Sequence, residues 1–379
     1  MTPPLPLAAV EAVLTRPGGC TLPAGAYADD AVLGWELEHF YARSWVCVGR
    51  AEDLGVPGDQ RALRIGRDGV LLVRGNDGRL RSFANVCRHR GHELLADRES
   101  ARRQVVRCPY HAWVYDLEGR LRTASRFGDV PGFDAADHGL VPMGVAEWRG
   151  WVFVNASGDA EPFERHAGTL DDLVAAHEPE RLAVGAARRY EVAANWKVIA
   201  ENYHECYHCP SIHPELCRVT PPLSGDSFDP VGAWAGGSME LRAHAATMSL
   251  TGEAGGVVLR GLDERARREV LYVDLFPNLL ISLHPDYVLT HRLEPLAAGR
   301  TLVECQWLFP PEALARPGFD PSYAVDFWDL TNAQDWHACE SVQRGVGSRG
   351  FSQGPLSTQE ESLRRFLEMV ARGYLGASR

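Results

Sequence analysis

The chain has 379 residues, is 45% hydrophobic and 23% charged, and carries a formal charge of −11. That composition fits a globular protein of two or three domains, and the acidic balance excludes a general nucleic-acid binder, because no overall positive field would displace counterions from phosphate. No apolar run approaches the roughly 18–20 residues of a membrane span, and MTPPLPLAAVEAVL lacks the basic n-region and long apolar core of a secretory signal.

Nine cysteines, an odd number, read as reduced thiols of a cytoplasmic protein rather than as a disulfide framework. Residues 1–45 form a lead-in grouped with the later part of the chain, with one helix expected over DAVLGWELEHFYARSW. From 46 to 155 short β-rich runs alternate with turn signals, as in ALRIGRDGVLLVRGNDGRLRSFANV, and predict a small antiparallel β domain. From 156 to 379 the pattern is α+β. Helices are expected at EPFERHAGTLDDLVAAH, at NWKVIAENYHECYH and over 321–344 and 357–374; LYVDLFPNLLISLH, YVLTHRLEPL and TLVECQWLFP read as antiparallel strands. The Gly-, Ser- and Pro-rich stretch 216–260 is the candidate mobile loop or lid.

The β domain contains CRHRGHELLADRESARRQVVRCPYHAW, residues 87–113, in which Cys87 with His89 and Cys108 with His111 form two mixed pairs. A structural zinc site uses such ligands, and so does a Rieske 2Fe–2S centre, with both His on one iron. Each loop here supplies one Cys and one His, whereas zinc fingers group like with like, so order and spacing favour the Rieske reading. The segment CRHRG…CPYHAW, preceded by RSFANV, closely resembles the Rieske signature of ring-hydroxylating-type oxygenases. The resemblance implies Cys87, His89, Cys108 and His111 as the cluster ligands. Between the pairs lie six arginines, 88, 90, 98, 102, 103 and 107; they read either as a solvated face or as a basic collar for an acidic electron donor.

In the second half, ANWKVIAENYHECYHCPSIHPEL (194–216) places Glu201, Glu205 and His208 on one face of a helix expected through 195–208. Pro210 and Pro214 are expected to stop it, so that His213 returns on a turn. Two imidazoles five apart with a carboxylate from elsewhere would make a 2-His-1-carboxylate site with positions open for dioxygen at Fe(II); two structural histidines remain the alternative on these residues alone. NWK…ENYxECYHC…HP resembles the mononuclear iron segment of the Rieske non-haem iron oxygenases and maps His208 and His213 onto its ligands. TNAQDWHACESVQRG (331–345) resembles the segment of the third ligand and nominates Asp335, with Asp329 and Glu340 as rivals.

The resemblance extends over nearly the whole chain and implies an N-terminal Rieske domain ahead of a helix-grip (START-like) catalytic domain. It also implies a homotrimer in which Glu205, where the family usually has Asp, links His111 of one chain to His208 of the next. Electrons from NAD(P)H would arrive through a separate flavin or ferredoxin-type reductase, since no G-x-G-x-x-G marks a nucleotide site here, and O₂ would be the co-substrate. Glu205 and the flanking Cys206 and Cys209 look most like the branch that oxidises quaternary ammonium compounds such as glycine betaine, carnitine and choline. An aromatic cage would suit a small trimethylammonium substrate, with Tyr203, Trp234, Phe276 and Tyr287 as candidates. An oxygenase of an aromatic or natural-product substrate is the alternative, and a non-enzymatic Rieske electron carrier or zinc-stabilised module the third.

Overall fold

The computed structural model describes residues 2–376 and resolves into two compact units: Glu36–Phe163, and the chain up to Trp35 together with the chain from Glu164 on.

The first unit is antiparallel throughout. Its strands are β1 (Val46–Arg50), β2 (Asp59–Ile65), β3 (Asp68–Arg74), β4 (Leu80–Ala84), β5 (Ser100–Arg102), β6 (Val106–Arg107), β7 (Val114–Tyr115), β8 (Leu121–Thr123), β9 (Pro142–Trp148) and β10 (Trp151–Asn155). They form one sheet in the order β1-β10-β9-β4-β3-β2-β5 and a small sheet β6-β7-β8. Turn chemistry sets the register. Ile65 pairs with Asp68 across a two-residue turn that begins at Gly66, whose φ of +59° suits a tight hairpin. Between the sheets Leu71, Phe83, Leu95, Trp113 and Tyr115 form a core that includes Cys87 and Cys108.

The second unit is built on an antiparallel sheet of β11 (Ala183–Val192), β12 (Trp234–Glu240), β13 (Glu269–Leu275), β14 (Leu279–Leu283), β15 (Val288–Ala297) and β16 (Arg300–Phe309), in the order β11-β16-β15-β14-β13-β12. β12 lies inside the stretch expected to be a loop, and the run expected as one strand over 271–284 is a hairpin, β13–β14. The C-terminal helices run Ser322–Val346 and Glu361–Tyr374, close to expectation. The helix expected over 162–177 is two short ones, Phe163–Ala167 and Leu170–Ala175. Gly168 separates them at φ +52°, where a Cβ would sit 1.7 Å from the Val231 carbonyl oxygen.

The helix expected through 195–208 is also shorter. Asn195 caps it by accepting the Lys197 N–H, and it runs only Trp196–Tyr203. Beyond it the Glu205 carboxylate takes the backbone N–H groups of Tyr207 and His208, which turns the chain into a new start. Pro210 and Pro214 then lie in the first turns of the short helices Cys209–Ile212 and Pro214–Val219 rather than at a stop, a position where the missing N–H costs nothing. Glu201, Glu205 and His208 therefore do not share a helix face.

Cys206 and Cys209 form a disulfide across this turn, their Cα atoms 4.9 Å apart, which corrects the expectation of nine reduced thiols; the other seven are free. No helix of the described residues is long and apolar enough to cross a membrane.

Glu201 has a buried, unpartnered carboxylate oxygen, and burial lifts the carboxyl from 4.5 to about 8, against weaker opposing pulls from the Tyr27 hydroxyl and the Lys197 ammonium. A carboxyl raised in the folded state holds its proton longer than in the unfolded chain, so it costs stability progressively between pH 4.5 and 8. Glu201→Gln should therefore gain thermal stability over the parent at pH 8 and not at pH 4.5, measured as the difference in Tm at the two pH values.

Candidate metal centres and active-site cavity

The two Cys/His loops fold as near copies of one clip. In each, the cysteine N–H donates to the carbonyl five residues on (His92, 2.8 Å; Trp113, 2.9 Å) and the cysteine carbonyl accepts from the residue four on (Gly91, 3.0 Å; Ala112, 3.2 Å). Both closing residues, Gly91 and Ala112, have positive φ.

The clips bring His89 and His111 to 4.7 Å between ring centroids, with His89 stacked on Trp113 at 4.9 Å. Cys87 and Cys108 are buried, and Tyr115 Oη sits 3.4 Å from Cys87 Sγ while accepting the Arg88 N–H. Burial raises the Cys108 thiol, and the neighbouring Cys87 adds to the rise. His89 is depressed, first by burial and then by His111 and Arg90. Its buried Nδ1 has no partner. Two enclosed thiols beside two closely spaced imidazoles, one neutral and unpartnered, fit the donor set of a 2Fe–2S centre.

Of the six arginines, Arg98, Arg102 and Arg103 face Asp97, Asp59 and Glu99 in ion pairs. Arg88, Arg90 and Arg107 make no ion pair among the described residues, and Arg90 lies over the exposed ring of Tyr110, next to His111. The expected collar is thus reduced to these three.

In the second unit His208, His213 and Asp335 come together. Asp335 Oδ1 lies 2.9 Å from His213 Nε2 and 3.5 Å from His208 Nε2. The opposite nitrogens are held by acceptors: His208 Nδ1 by Glu205 Oε1, and His213 Nδ1 by Gln334 Oε1 at 2.7 Å. Those acceptors put the ring protons on Nδ1, leaving both Nε2 lone pairs facing a carboxylate oxygen. Lone pairs on all three atoms repel unless a cation sits between them, so the set fits one metal ion in a 2-His-1-carboxylate arrangement.

Burial would lower His208, but Asp335 and Glu205 outweigh it and hold the ring at about 9. Burial would raise Asp335, but the two imidazoles keep it below its usual range. The rivals are engaged elsewhere: Asp329 with the Tyr190 hydroxyl and Glu340 with the Ala193 N–H. His337 is exposed.

A cavity of about 500 Å³ opens onto these three residues. Of the four aromatics expected to form a cage, only Tyr203 lines it; Trp234, Phe276 and Tyr287 do not. Tyr287 stands behind the wall, where its hydroxyl takes Trp328 Nε1–H and donates to the Met248 carbonyl, each at 2.8 Å. The wall itself combines Tyr203 with Tyr272, 5.8 Å away, and with Trp328, 6.4 Å from Tyr272. Trp328, Thr331, Asn332, Asp335 and Trp336 all line the cavity from one helix at i, i+3, i+4, i+7, i+8, a helical stripe visible in the sequence. Gln334 falls off that stripe and carries no such signal.

These centres define an iron-dependent redox enzyme, and comparison with known proteins agrees. Residues 179–376 match the family described as ring hydroxylating alpha subunit (catalytic domain), and residues 44–134 match the Rieske [2Fe-2S] domain. The chain belongs to the ring-hydroxylating alpha-subunit family, a Rieske oxygenase that uses a 2Fe–2S cluster and a mononuclear iron, and not to stand-alone electron carriers. It is 39% identical to the carnitine monooxygenase oxygenase subunit of Escherichia coli (strain K12), over 87% of this chain and 85% of that protein. It is 30% identical to the glycine betaine monooxygenase oxygenase subunit of Chromohalobacter salexigens, over 93% and 85%. The solved structure of a quaternary ammonium Rieske monooxygenase matches with a TM-score of 0.81 at 27% identity, covering 99% of this chain and 100% of that one. Naphthalene 1,2-dioxygenase from Rhodococcus shares the fold, with a TM-score of 0.79 at 21% identity over 98% of both chains.

Because Gln334 fixes the His213 ring, Gln334→Ala should weaken metal retention at the three-donor site by about 10–100-fold. Iron content after dialysis against a chelator reads this; the visible absorbance of the cluster should not change.

Proposed function

We propose that the chain is the oxygenase component of a quaternary ammonium monooxygenase, hydroxylating a carbon bound to the ammonium nitrogen. From an N-methyl group this gives a hemiaminal that loses formaldehyde. The aromatic wall of Tyr203, Tyr272 and Trp328 beside the three-donor site carries the reading. It is apolar enough to strip water from a trimethylammonium head, and its ring faces offset the lost hydration.

In this account Cys87, Cys108, His89 and His111 hold the cluster, and His208, His213 and Asp335 hold the mononuclear iron. The cluster supplies single electrons and the iron supplies dioxygen activation. The chain does the rest. With iron bound, Glu205 and Gln334 would hold each ring proton at Nδ1 and turn both Nε2 atoms to the metal, and the ring wall would orient the methyl group.

Glu205 has a second task. The solved quaternary ammonium monooxygenase is described in terms of inter-subunit electron transfer. A homotrimer here would set His111 of one protomer against the Glu205 of its neighbour, and a separate flavin or ferredoxin-type reductase would feed the cluster from NAD(P)H.

The test is turnover of trimethylammonium compounds with NADH, reductase and oxygen. Formaldehyde release supports the reading; a phenol or cis-diol from an aromatic substrate, without formaldehyde, contradicts it. Glu205→Gln should keep both metal centres by iron and sulfide analysis and lose about 10–100-fold or more of the turnover. Parental turnover in that variant would remove Glu205 from the electron route.

A further inference from the structure

Resting on the quaternary ammonium reading, the distribution of charge around the cavity narrows the substrate further. We propose that this cavity selects ammonium ions that carry no carboxylate of their own and rejects zwitterionic betaines.

Among the described residues no lysine or arginine lines the cavity. Of the acids that do, Glu205 and Asp335 hold the histidines of the three-donor site and Glu361 is paired with Arg364 and Arg365, whereas Asp226, at the exposed rim, makes no ion pair among the described residues. The basic groups on the surrounding elements are committed elsewhere. Lys197, on the helix that contributes Tyr203, is fully buried with its ammonium 4.8 Å over the Trp196 ring. Arg364 pairs with Glu361 and Glu368, and Arg365 with Glu361 and Asp229; both line a separate cleft. Arg242 donates to the Cys217 carbonyl, and Arg292, on β15, pairs with Glu294 and Glu304. Away from the three-donor site, a substrate carboxylate entering here would lose its hydration without gaining a cationic side chain, and would face Asp226 at the rim. Burying an unpaired charge beside like charges is strongly unfavourable.

The neutral polar groups on the wall point the same way. His291 lines the cavity and is buried, with Nε2 3.1 Å from Asn332 Oδ1. The amide nitrogen of Asn332 faces Cys305 Sγ, which fixes the oxygen toward the imidazole. The ring proton therefore sits on Nε2, and Nδ1 is a bare lone pair with no partner. Burial holds the ring neutral, down at about 4. The Tyr272 hydroxyl, on the same wall, is also unpartnered. Neither atom has surface exposed to the cavity, so neither offers a substrate carboxylate a hydrogen bond.

The experiment is calorimetric titration of the anaerobic, iron-loaded holoenzyme with matched probes: choline and tetramethylammonium against glycine betaine and 4-(trimethylammonio)butyrate, with indole as an aromatic control. The proposal expects the carboxylate-free cations to bind about tenfold tighter or more than the betaines. Asp226→Lys, at an exposed rim position, should narrow that gap by raising betaine affinity. Betaines binding as tightly as the cations, or a gap unmoved by Asp226→Lys, overturns the proposal while the ammonium reading stands. Binding of indole alone overturns both.

Discussion

The arrangement rests on two hydrogen bonds made by the far sides of two imidazoles. Glu205 on His208 Nδ1 and Gln334 on His213 Nδ1 decide which nitrogen of each ring is bare, and so turn both Nε2 atoms onto Asp335. Without those acceptors the three groups would be an ordinary cluster of ion pairs. With them, the lone pairs converge on a place only a cation can occupy. The short turn from 204 to 208 exists to make this possible. A helix continued from Trp196 would carry Glu205 away from the backbone N–H groups of Tyr207 and His208 that it now accepts.

The sheet and the long helix supply the second requirement, a cavity with an aromatic wall beside the three donors. Trp328 and Trp336 reach the cavity from the same helix face as Asp335, so one helix positions both the aromatic wall and the carboxylate of the three-donor site. Tyr287, Met248 and Tyr323 stand behind that face. Tyr287 locks Trp328, and Tyr323 hydrogen-bonds the buried Asp286 carboxylate at 2.7 Å. These are the supports that hold a functional wall within tolerance.

How far the sequence reveals this depends on how local each feature is. The cluster loops are legible because both Cys/His pairs are short-range, and ligand order together with spacing favours a Rieske centre over a zinc finger. Asp335 and Glu205 were legible only through resemblance, since a carboxylate on a helix has no signature of its own. The cage was mostly illegible. Phe276 and Tyr287 are as aromatic as Tyr272, and which of them faces a cavity depends on strand register across β13 to β15, which is set by tertiary pairing. The helix expected through 195–208 ends early for a local reason. Its residues favour a helix, but the side chain of Glu205 competes for the backbone and wins.

Under the proposed function Glu205 would carry two roles, fixing His208 and linking the cluster of one protomer to the iron of another, and a mixing experiment separates the second from the first. Cys108→Ala lacks a complete cluster site but keeps Glu205; Glu205→Gln keeps the cluster site but lacks the link. Each alone should keep at most about a tenth of the parental turnover. Unfolded together and reassembled as mixed oligomers, they should regain part of the parental activity, because a complete cluster on one chain then faces an intact Glu205 on the next. Mixed oligomers no more active than the two parents would contradict transfer between protomers.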